Sequence, residues 1–187
     1  RKIKHVDVPS YIINKKKRRR KRVLRLVKFL VLTALFTTTI IYAAMSPYFN
    51  INGFKVKESL HYDESTLISF SGIRKGSNGF KTLVRSGGRF YLLRFGASEK
   101  AIMDNCPYVK NAKVKYLLPS TVYIEVEERT AAAILSLNDV YLLIDREGYM
   151  LEWCPEPPDI KLPVIKGIEA DSPKLGQKIE NSKEALS

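Results

Sequence analysis

Few side chains in this sequence have the types and spacing that chemistry needs. The two histidines are His5 and His61. An uncharged stretch at 29–54 separates them, so they cannot share a site if that stretch crosses a membrane. Spacing supports no Ser-His-Asp set around His61. Glu125, Glu127 and Glu128 form a close group of carboxylates. General acid–base work would require them to share a cleft. Alternation instead places Glu125 and Glu127 on the solvent face of a strand, and Glu128 ends that strand. Cys106 and Cys154 lack the C-x-x-C spacing of a metal or redox site. A disulfide in an oxidising compartment and two free thiols both suit them. Cys106 follows an apolar helix face and reads as a small core residue. The residues therefore predict no catalytic site, no cofactor and no metal.

Charge is the next signal. The 187 residues carry a formal net charge of +13, and residues 1–28 hold 13 of the Lys and Arg with one acid, Asp7. The remaining 19 basic and 18 acidic residues nearly cancel. A nucleic-acid-binding domain would spread its cations over a folded face, so no nucleic-acid partner is expected. The cations concentrate in an unbroken octet: Lys15, Lys16, Lys17, Arg18, Arg19, Arg20, Lys21 and Arg22. An apolar run follows at once. Counted from Val23, it reaches about the 20 residues that a helix needs to cross a bilayer. Tyr42 and Tyr48 sit at its far end, as in an aromatic belt. A buried core helix would rarely be apolar on every face. A cleaved signal peptide would have a shorter apolar core, and Pro47 would follow a cut at "AAMSP". A retained single-pass anchor suits the residues best. Lys and Arg stay cytoplasmic, so the octet is read as a topology determinant, with the N-terminus inside and residues from about 47 outside.

The elements beyond the anchor come from periodicity. Alternation predicts a strand over 49–58 with a bulge at Gly53–Phe54. Asp63 caps a short helix that Gly72 ends. Residues 74–92 are rich in glycine and read as a long loop or irregular hairpin. Its cations Arg74, Lys75, Lys81, Arg85 and Arg89 form either a partner surface or a solvated loop. A second helix starts with Ser98 as its cap and closes at Pro107. "NAKVKYLLPSTVYIEVEER" is the clearest pattern, an antiparallel hairpin with Ala112, Val114, Tyr116, Val122, Ile124 and Val126 inward. Lys113 and Lys115 would then face Glu125 and Glu127 across the strands. Short strands follow, with turns at Asn138-Asp139 and at 145–148. "PEPPD" reads as a rigid spacer, and Trp153 beside it as a packing anchor. The class is α+β.

With these pieces in order, the sequence resembles the bacterial FtsQ/DivIB cell-division proteins, and residues 49–128 look like their POTRA domain. "FNINGFKVKES", "LISFSGIRKGSN", "CPYVKNAKVKYLLPSTVYIEVEERTAAAIL" and "LIDREGYML" carry the likeness, which covers about 20–168. It implies a basic cytoplasmic tail at 1–24, a transmembrane helix at 25–46, an extracytoplasmic POTRA domain of strand-helix-helix-strand-strand order at 47–128, and the start of a truncated, mostly β subdomain at 129–187. It implies a non-catalytic divisome scaffold of the cell membrane, placed at the division septum and docking other membrane division proteins. A membrane-anchored sensor or sporulation docking protein is the alternative, and a cell-wall-acting enzyme fits less well. Residues 74–92 are longer and more basic than the family's connection. The family's later β strands lie past the end of the sequence, so no contact residues carry over from them.

Overall fold

The computed structural model describes residues 10–87, 90–137, 140–156, 158–167 and 174–179. They fall into two units, Arg1–Ser46 and Pro47–Ser187. The first holds one helix, α1 (Ser10–Ala44). Its segment Arg19–Ala44 is long and apolar enough to cross a membrane, by length and composition. The hydroxyls of Thr33, Thr37, Thr38 and Thr39 donate to carbonyls three or four residues back, at 2.8–2.9 Å. This back-bonding satisfies them along an apolar helix.

The second unit starts with a 3-10 turn at Pro47–Phe49 and a strand, β1 (Gly53–Val56). Phe49 therefore lies in a turn rather than in the strand, and the expected bulge is replaced by a late strand start. Helix α2 (Glu64–Ser71) follows. Asp63 is its N-cap residue and accepts hydrogen bonds from the Ser65 and Thr66 hydroxyls. Gly72 ends it in the left-handed conformation, φ 66°, where glycine carries no Cβ penalty.

Residues 74–92 are the main departure from expectation. Within them lies helix α3 (Gly79–Ser86), capped by Asn78, whose side chain accepts from the Lys81 N–H. Phe80 and Leu83 turn inward from it. Helix α4 (Gly96–Asn105) begins at an N-cap of Phe95. Ser98 is thus buried in its first turn rather than capping it.

The hairpin forms as alternation dictates. Strands β2 (Val109–Leu117) and β3 (Thr121–Glu128) pair antiparallel, and β1 adds to β3 in parallel, giving the order β1-β3-β2. Ile51, Leu67, Leu83, Ile102, Val114, Val122 and Ile124 form the core between this sheet and the helices. Each such side chain, fully buried, contributes on the order of 2 kcal/mol. Lys113 faces Glu125 as expected, but Lys115 faces Tyr123, and Glu127 faces Asn111.

A second sheet, in the order β6-β5-β4-β7, uses β4 (Ala133–Leu137), β5 (Val140–Ile144), β6 (Met150–Cys154) and β7 (Val164–Ile165). The β5–β6 turn has Gly148 at φ 84° with its N–H on the Asp145 carbonyl. The turn expected at Asn138-Asp139 lies outside the described residues. Trp153 is 37% exposed, so it does not serve as the expected packing anchor.

Candidate docking surfaces

Glu125, Glu127 and Glu128, read from the sequence as non-catalytic, line no single cavity together among the described residues. Glu125 takes the Lys57 ammonium at 2.8 Å. That hydrogen bond and its charge hold the Glu125 carboxyl below the usual range. Glu128 was expected to be solvated, yet only 12% of its side chain is exposed. It accepts from the Ser59 hydroxyl at 2.5 Å and from the Leu60 and His61 N–H groups at 3.1 Å each. The His61 Nδ1 lies 3.2 Å away, and that ring stacks on Tyr108 at 3.9 Å. Burial alone would raise the Glu128 pKa. The Ser59 hydroxyl and the surrounding N–H donors outweigh it, and the carboxyl stays below its ordinary value. An acid–base pair needs one carboxyl held up and the other down, whereas Glu125 and Glu128 are both held down. Glu128 acts as a latch on the turn between β1 and α2. Spacing along the sequence gave no sign of this, because the latched turn lies almost seventy residues away.

Cys106 is fully buried and Cys154 partly so, both as free thiols. Burial pushes the Cys106 thiol up to about 11, so it stays protonated and unreactive.

A joint ties the two sheets together. Arg129, one residue past β3, donates to Asp145 Oδ2 at 2.6 Å, with both side chains under 10% exposed. Its guanidinium carbon lies 3.6 Å from the centre of the Tyr149 ring, a cation–π contact. Lys110 reaches Glu147 at 2.5 Å, and the Tyr108 hydroxyl donates to Glu152 at 2.7 Å. A cavity of about 520 Å³ lies beside the joint.

Four strand edges lack a neighbouring strand among the described residues, the outer sides of β1 and β2 in the first sheet and of β6 and β7 in the second. The start of β6 is covered, since Met150 exchanges hydrogen bonds with Gly176 and Gln177. The outer edge of β2 is closed by residues 93–95. There Tyr116 N–H donates to Leu93 and Phe95 N–H to Val114, while Arg94 forks onto Glu99 at 2.7 and 2.9 Å.

The basic residues singled out from the sequence separate. Arg74, Lys81 and Arg85 line a groove of about 880 Å³ between α2, α3 and α4. Lys75 is exposed in the preceding turn, and Arg89 lies outside the described residues. Of the octet, Arg19, Arg20, Lys21 and Arg22 are exposed along α1, whereas the side chains of Lys15, Lys16, Lys17 and Arg18 lie outside the described residues.

Residues 49–129 match the family model described as "POTRA domain, FtsQ-type". These residues are an FtsQ-type POTRA domain. The match extends one residue past β3, to Arg129 of the joint. The chain is also similar to a cell division protein DivIB of Clostridium botulinum, at 26% identity over 94% of this chain and 62% of the relative. DivIB of Clostridium acetobutylicum is 28% identical over 71% of this chain and 49% of the relative. A cell division protein FtsQ of Myxococcus fulvus is 29% identical over 58% and 38%. The resemblance to the FtsQ/DivIB family read from the sequence is thereby shown. The chain spans about half to three-fifths of the length of the DivIB relatives it matches.

Proposed function

We propose that this protein is a membrane-anchored docking component of the bacterial division machinery, with no chemistry of its own. The observation that carries the reading is the FtsQ-type POTRA domain in a chain whose relatives are named cell division proteins. Helix α1 anchors it in the cell membrane, and the octet Lys15–Arg22 keeps the N-terminus cytoplasmic. The POTRA domain then faces outward and receives other membrane division proteins. The outer edge of β1 and the part of β6 beyond Met150 suit strand addition, in which main-chain hydrogen bonds supply affinity and alternate side chains supply specificity.

A fluorescent fusion of the full chain should concentrate at mid-cell, and depletion should give filamentous cells. A uniform membrane signal with normal division would overturn the reading. Orientation has a separate test. A membrane-impermeant thiol reagent should label Asp104→Cys, an exposed position on α4, and should leave Ser10→Cys unlabelled in intact cells. Cys154→Ser removes the partly exposed natural thiol from this experiment. Labelling at Ser10→Cys alone would reverse the proposed topology.

A further inference from the structure

The groove between α2, α3 and α4 gathers three cations around one concavity. Arg94, Arg129, Lys57 and Lys110 each meet a carboxylate. Arg74, Lys81 and Arg85 line one groove, and none of them makes an ion pair among the described residues. Among the described residues no acidic side chain lines it. Like charges brought together around one concavity raise each other's energy unless an anion enters.

The walls of the groove are fixed. Asn78 caps α3, Leu83 anchors it in the core, and the Ser86 hydroxyl accepts from Ala97 N–H at 3.0 Å, closing α3 onto α4. The lining between the cations is small: Gly72, Ala97 and Ala101. The opening of about 880 Å³ is within the size range of built ligand clefts.

We infer that this groove docks an acidic segment of a partner protein, its carboxylates on Arg74, Lys81 and Arg85 and its aliphatic groups against Ala97 and Ala101. The inference rests on the docking reading and names the chemistry of one partner. A bilayer presents a plane and would leave the inner lining of a groove unused. A phosphate polymer would satisfy the cations but would gain nothing from the alanines. An acidic peptide uses both. Arg is suited to the task because its fork matches a carboxylate in two-point geometry.

The test uses the full chain in the bacterium that makes it, with the photoreactive residue benzoylphenylalanine replacing Ala97, which is exposed at the groove. Irradiation should give an adduct that mass spectrometry maps to a protein segment of net negative charge. Combining Lys81→Glu with Arg85→Glu should cut the adduct by about tenfold or more, because like charges now oppose the ligand. Lys161→Glu with Lys166→Glu, both exposed outside the groove, should leave the yield unchanged. An adduct on lipid, on a phosphate polymer or on a neutral or basic segment overturns the inference. So does no adduct, an adduct that survives reversal at 81 and 85, or equal loss in the control pair. Circular dichroism of the purified chain checks that each variant folds, as exposed positions should allow. Mid-cell position in the same cells reports separately: a chain absent from mid-cell fails the division reading, and a chain at mid-cell without the acidic adduct fails the groove alone.

Discussion

Arg129→Ala should lower the thermal midpoint of the second unit by about 10 °C, from a loss of roughly 3 kcal/mol or more. The reason is what it leaves behind. Asp145 is 8% exposed and keeps only the N–H groups of Glu147 and Tyr149. Removing one partner of a buried pair strands the other charge in a medium that solvates it poorly. The Tyr149 ring loses its cation as well. Arg129→Lys keeps a charge but neither the fork nor the flat face, so it should recover only part of the loss. Arg146→Ala, exposed in the same turn, should be neutral within about 0.5 kcal/mol. Circular dichroism melts of the purified full chain read all three, and a shift under about 2 °C for Arg129→Ala would remove the joint from the stability account.

The same joint predicts a pH dependence with a definite sign. Burial alone would raise the Asp145 pKa. The Tyr149 N–H, the Arg129 guanidinium and the Glu147 N–H outweigh it and hold the carboxyl below its ordinary value. Glu128 is depressed in the same net direction. The unfolded chain therefore takes up these protons first as pH falls, and protonation favours unfolding. This stabilisation is fully present above the unfolded values, near pH 4. It is lost as pH drops through the lower folded values. Melting midpoints should fall below about pH 4, and the fall should be shallower in Arg129→Ala.

Gly79→Ala should be nearly as costly, roughly 3 kcal/mol. A Cβ there would lie 2.2 Å from Tyr116 Cζ and 2.6 Å from both adjacent ring carbons. That ring is 2% exposed, with Phe80 at 5.7 Å and Phe95 at 6.2 Å. Its hydroxyl donates to the carbonyls of Phe49, at 2.7 Å, and Pro119. The ring cannot swing aside without breaking those bonds, so α3 must lift instead. Gly53→Ala, which meets nothing within 4 Å, should cost little. Tyr116→Ala combined with Gly79→Ala should cost clearly less than the two singles together, because the clash disappears with the ring. Strict additivity would refute the clash.

The contrast between Tyr116 and Gly79 marks where reading the sequence succeeded. Tyr116 alternates with Lys115 and Leu117, and period-2 burial specifies its face directly. Gly79 lies among four glycines at 76–88, and glycine density argues for a loop. The helix was still signalled, by Asn78 as cap, Phe80 and Leu83 three apart, and Gly87 at φ 63° as the stop. An eight-residue helix gives too few turns for that periodicity to stand out. The Glu128 latch and the Arg129–Asp145 joint were hidden for another reason. Each depends on segments that meet only after folding, and a carboxylate that ends a strand looks solvated until its distant donors arrive. Three of the cations singled out from the sequence, Arg74, Lys81 and Arg85, line the groove, but the wall that α4 supplies was not legible there.

The parallel pairing of β1 with β3 has a mechanical meaning. A pull arriving from the N-terminal side enters β1 at Gly53, and a load on the second sheet leaves β3 at Glu128. In parallel strands these are opposite ends, so the ladder from Gly53–Thr121 to Val56–Ile124 is loaded in shear. All its hydrogen bonds then resist together instead of opening one after another. Glu128 reinforces the far end, holding Ser59, Leu60 and His61 just past β1. A strand of four residues thus joins the segment before it to the second sheet in the shear geometry that resists tension best.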